Sequence, residues 1–180
     1  MLDDFQVVRF FEHFGEQLFD GIEVPLDRVK AGIPEAVRSI VTFAQIESLP
    51  PDQAERLIAP AEAAALARNT LFYLAEDETL AALIEKSLDS HRDDEMVADV
   101  ILAVGFVASM ILIAATTEVE GTILGVKFKK SEASPTLVKA IVEPFAKVLS
   151  GSPKPKAKQR VVSEHATQRR RPNMRAQTGC

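Results

Sequence analysis

Met96-Val-Ala-Asp-Val-Ile-Leu-Ala-Val-Gly-Phe-Val-Ala-Ser-Met-Ile-Leu-Ile-Ala-Ala-Thr-Thr117 contains one charge, Asp99, and none from Val100 onward. A stretch so uniformly apolar is either a helix covered on every side by protein or a membrane span, since about 20 apolar residues suffice to cross a bilayer. Small residues recur in it (Ala98, Ala103, Gly105, Ala108, Ser109), and Gly105-xxx-Ser109 has the small-xxx-small spacing that lets helices approach closely. Against a span stand Asp99 and the acidic flank Asp89-Ser-His-Arg-Asp-Asp-Glu95. Lys127, Lys129 and Lys130 follow on the other side, so the positive-inside tendency would send the N-terminal half across the membrane. Neither a basic n-region nor a short apolar h-region stands at Met1. The expectation is therefore a central core helix over residues 95–116, with a membrane-inserting segment at 96–117 as the alternative.

The segments around it need such a core. Asp3 or Asp4 caps a first helix running to about Phe19, with Val7, Phe11, Phe14 and Leu18 on one face and Phe5 and Phe10 widening it. Gly21 ends that helix and Pro25 bars its continuation. A short turn of helix over Leu26–Ala31 precedes a helix opened by Pro34, with face Val37, Ile40, Val41 and Ala44, stopped by Ser48-Leu-Pro-Pro51. Asp52 to Ala59 reads as a short helical run, and Ala61 to Ala75 as an Ala-rich helix of strong intrinsic propensity. Asp77 caps a helix over Glu78–Asp89 with face Leu80, Leu83, Ile84 and Leu88, and Asp93 or Asp94 caps the central helix. Partial alternation after Thr117 indicates a β-hairpin, 116–120 with 123–129, turning at Glu120-Gly-Thr122. Ser134-Pro135 opens a last helix whose apolar face runs from Leu137 to Leu149 and which Pro144 should kink. The whole is a mainly α chain: a compact multi-helix domain over residues 1–150 around a central hydrophobic helix, with one small β-hairpin.

Residues 151–180 differ in kind. They hold eight Lys or Arg against Glu164 alone, which leaves −12 on the preceding 150 residues of a chain whose formal charge is −5. With little apolar surface to offset ordering entropy, they are expected to form a disordered basic tail. Lys154, Lys156, Lys158, Arg160, Arg169, Arg170 and Arg171 are candidate anion-binding residues, for nucleic acid or an anionic membrane surface. No aromatic is interleaved among them, which argues against base stacking.

Catalytic signatures do not emerge. His91 has acidic company in Glu85, Asp89, Asp93, Asp94 and Glu95, but the expected helix break at 90–94 separates it from Glu95, and a solvated capping loop explains the cluster. Gly121-Thr-Ile-Leu-Gly125 lacks the Lys-Ser/Thr of a P-loop, no G-x-S-x-G elbow appears, and the single cysteine is the terminal Cys180. The expectation is a non-enzyme without cofactor or metal, and a cysteine-poor chain of this kind suits a reducing cytoplasmic setting, with a membrane location as the alternative. By elimination the function expected is a non-catalytic helical interaction or adaptor module. It would bind a protein partner or a second copy of itself through an apolar patch on the first or last helix, with Phe10 and Phe145 as candidate contacts.

Overall fold

The computed structural model describes residues 2–22, 25–90 and 102–151. Helix α1 (Asp4–Asp20) begins at a reciprocal capping box: the Asp3 carboxylate accepts from Gln6 N–H at 2.8 Å, and the Gln6 amide accepts from Asp3 N–H at 3.0 Å. Gly21 closes it. Its face Val7, Phe11, Phe14 and Leu18 is buried as the spacing requires; Phe10 is buried too, while Phe5 stays at the surface. Helix α2 (Leu26–Ala31) follows Pro25.

The helix expected from Pro34 to Ala44 is two pieces, α3 (Glu35–Arg38) and α4 (Phe43–Glu47). Between them Ser39 turns its hydroxyl onto Ala36 C=O at 2.8 Å, and the β-branched run Ile40-Val41-Thr42 has little helix propensity. The break resets the register, so Val37, Phe43 and Ile46 face inward, and Val41, expected in the core, is 92% exposed. The run after Pro50 is likewise shorter than expected: α5 (Pro51–Ala54) gives way to an extended segment that pairs Leu57 with Ala103.

Helix α6 (Pro60–Leu74) packs along α1, and α7 (Glu78–Ser90) is capped by Asp77, whose carboxylate accepts from Thr79 N–H at 3.0 Å and Leu80 N–H at 3.2 Å. The central element α8 is shorter than the sequence suggests: Val104–Ala115, with Leu102 and Ala103 extended before it. The cause is a clamp of two backbone hydrogen bonds, Ile58 N–H to Leu102 C=O at 3.0 Å and Val104 N–H to Arg56 C=O at 2.8 Å. At about 1.5 Å per residue α8 is about 18 Å long, short of the roughly 30 Å of a bilayer core. No helix among the described residues is long and apolar enough to cross a membrane, and the reading of 96–117 as one continuous spanning helix is corrected by the extended residues inside it. Asp93, Asp94 and the segment from Met96 to Ile101 lie outside the described residues.

Every large aliphatic of α8 from Val104 to Ile113, apart from the half-buried ring of Phe106, is buried against α2, α4, α5, α6 and α9 (Pro135–Gly151). Gly105 permits the α5 approach, since a Cβ there would lie 2.9 Å from the Ala54 methyl. Helix α9 continues through Pro144, and its terminal carbonyls, Val148 and Leu149, accept from the Arg56 guanidinium.

The hairpin is present but its turn is displaced. Strand β1 (Glu120–Ile123) pairs antiparallel with β2 (Val126–Lys129), Glu120 opposite Lys129 and Ile123 opposite Val126, so the turn is Leu124-Gly125. Both turn residues have positive φ, +51° and +78°, as a two-residue hairpin of type I′ needs. Gly121, expected in the turn, instead lies against the end of α1: Ile22 bridges to it, Thr122 N–H donates to Gly21 C=O at 2.9 Å, and any Cβ on it would overlap Gly21.

Candidate functional site

Among the described residues are two concavities of contrasting chemistry. The larger is an open apolar groove of about 420 Å³ where the end of α1, the start of α2 and one face of α8 meet, lined by Phe19, Ile22, Leu26, Val29, Gly105, Phe106, Ser109 and Ile113. Gly15 builds it. A Cβ there would overlap the Phe106 ring, so the glycine lets that ring lie on α1, where it meets Phe11 and Phe19 edge to face at 5.6 and 5.7 Å. Phe19, Ile22 and Phe106 are left half-buried, and Leu26 is 43% exposed. Among the described residues Ser109 brings the one polar side chain to the lining. A groove of this composition offers dispersion and desolvation, with one hydroxyl to orient what enters.

The smaller is a cavity of about 90 Å³ between the end of α6 and the strand leaving the hairpin. Tyr73, Glu76, Asp77, Lys130, Ser131, Glu132 and Ser134 line it. Lys130 is buried; its Nζ donates to Ser131 C=O at 3.2 Å and lies 5.4 Å from the centre of the Tyr73 ring. Its backbone is fixed by Lys130 N–H to Val119 C=O at 3.0 Å and by Ser131 N–H to the second Asp77 carboxylate oxygen at 2.6 Å. Burial pushes the Lys130 amine down to about 8, opposed by the Asp77 carboxylate. Burial likewise pushes the Tyr73 phenol up. Burial alone would raise Asp77, but the hydrogen bonds from Ser131, Leu80 and Thr79 outweigh it and hold the carboxyl below its ordinary value.

The candidate contacts Phe10 and Phe145 are not at either place. Both rings are fully buried in the core, Phe10 stacked near Phe14 at 6.0 Å, so the expectation that they form a partner surface is corrected. An apolar stripe at helical period faces its own domain here, and the solvent-facing apolar surface comes instead from element ends. The tail cations Lys154, Lys156, Lys158, Arg160, Arg169, Arg170 and Arg171 lie outside the described residues. Among the described residues no group of three or more His, Cys, Asp or Glu is placed to hold a metal ion. The sequence reading missed both concavities. A signal for Lys130 existed, because it continues the alternation of Phe128 by one period of two and so shares its buried side.

No protein-family model matches the chain, and neither does any curated protein or solved structure.

Proposed function

We propose that the chain is a non-catalytic helical interaction module whose groove between α1, α2 and α8 receives an apolar segment of a protein partner. The observation that carries this reading is the groove itself: half-buried aromatics and an exposed leucine held on rigid helices, the side-chain types enriched at protein interfaces. Its open form suits inserted side chains of a partner, and the −12 on residues 1–150 favours a partner with basic residues flanking its apolar anchors.

Selection of displayed peptides against the full chain tests it. Selected peptides should carry spaced apolar anchors with flanking Lys or Arg. Leu26→Asp should weaken them at least about tenfold, the loss of roughly 1.4 kcal/mol. Val41→Asp, at a more exposed position away from the groove, should leave them unchanged. Peptides indifferent to Leu26→Asp, or a chain that selects none, would remove the groove from the account. A Leu26-dependent self-association would assign the groove to a second copy of the chain.

A further inference from the structure

We propose that Lys130 is an aldehyde-reactive amine, its side chain lining the small cavity beneath Tyr73 and positioned to form a Schiff base with a short, uncharged aliphatic aldehyde. The geometry has three parts. Lys130 is buried yet lines a cavity of about 90 Å³, which admits a short carbonyl compound. Its backbone is held at Val119 and, through Ser131, at Asp77, and its Nζ is placed by the Ser131 carbonyl and the Tyr73 ring. Its Nζ donates to Ser131 C=O, a bond that the neutral amine keeps through an N–H while its lone pair stays free.

The charges around it choose the chemistry. The cavity is lined by Tyr73 from α6, Glu76 and Asp77 from the link to α7, and Glu132 beside the strand exit, and of these the Tyr73 ring and the Asp77 carboxylate act on the amine. Three are acids and one a π face, and among the described residues lining the cavity Lys130 alone is a cation. Acylation would leave a neutral amide where this ring and these carboxylates favour a cation. Schiff-base formation ends in an iminium that keeps the charge. The nitrogen lone pair attacks the carbonyl carbon, and the C=O π pair moves to oxygen. The carbinolamine then takes a proton on that oxygen and loses water. The product is the C=N bond and one water, with no redox partner. The same acidic rim repels anionic carbonyl compounds. Burial favours the neutral nucleophile: the amine is pushed down to about 8, whereas neighbouring Lys129, exposed and bonded to Glu120 at 2.6 Å, is raised by that partner.

The test treats the full chain with propanal and cyanoborohydride, which traps the iminium, and reads each lysine by peptide mass. Lys130 should be alkylated at least about tenfold faster than Lys127 or Lys129 at pH 8. Its rate should rise with pH and level off above about 8. Lys130→Met should abolish the fast phase while keeping the native circular-dichroism spectrum. Alkylation of Lys130 no faster than Lys127, or only after urea unfolding, overturns the proposal.

Discussion

Lys130 makes stability depend on pH in a direction uncommon for a lysine. In the unfolded chain its amine titrates near 10.4, and in the fold near 8. Between those values the unfolded state holds more protons, so stability rises with pH across that window and the full penalty of burying the cation is felt below it. Urea titrations from pH 8 to 10 should show a gain approaching about 1 kcal/mol per pH unit, absent in Lys130→Met. Above that range Tyr73 reverses the trend, because its phenol keeps its proton in the fold after the unfolded one has lost it. Gly15 acts through space instead of charge. Gly15→Ala should destabilise by about 1–3 kcal/mol through overpacking against Phe106. The double variant with Phe106→Leu should recover part of that loss, and a double-mutant cycle in urea measures the coupling. Phe145→Ala should cost about 3–5 kcal/mol and broaden or abolish cooperative unfolding, as for a ring lost from a core.

At the scale of elements, the hairpin turn is imperfect in a correctable way. Leu124 holds φ +51°, a region that costs an ordinary side chain about 1–2 kcal/mol. Leu124→Asn should raise the melting free energy by up to about 1 kcal/mol, because asparagine suits type I′ turns. It would leave the Lys86 Nζ bond to the Leu124 carbonyl, 3.1 Å, in place. A fall in stability would mean that the exposed leucine packs more than its surface suggests. The turn also shows where sequence reading stopped. Caps, propensity and periodicity are local chemistry, so α1, α7 and α9 were legible from Asp3, Asp77 and Pro135 with their apolar faces, and α6 from its Ala-rich run. Gly121 looked like a turn because nothing local reveals that Gly21 would press against it. The break at Ile40-Val41-Thr42 was hidden for a related reason: its apolar residues fit a helical face, but only the packing of Phe43 and Ile46 decides the register. The groove was illegible, since Phe19, Leu26 and Phe106 meet only in three dimensions.

For the molecule as a whole, the apolar content of the central stretch misled as to length but not as to place. Hydropathy alone cannot see that Leu102 and Ala103 are drawn into extended pairing with the segment after α5, which starts α8 at Val104. The helix is still the element on which others converge from both sides in sequence. That arrangement has a bearing on how the chain is made. Synthesis is vectorial, and exposed apolar segments are the hazard of incomplete folding. Of the helices that cover α8, α1, α2, α4, α5 and α6 are translated before its first residue is joined, and α9 comes later. The greasiest segment thus emerges into a receptor already translated, and the Arg56–Ile58 clamp is waiting beside its N-terminal end.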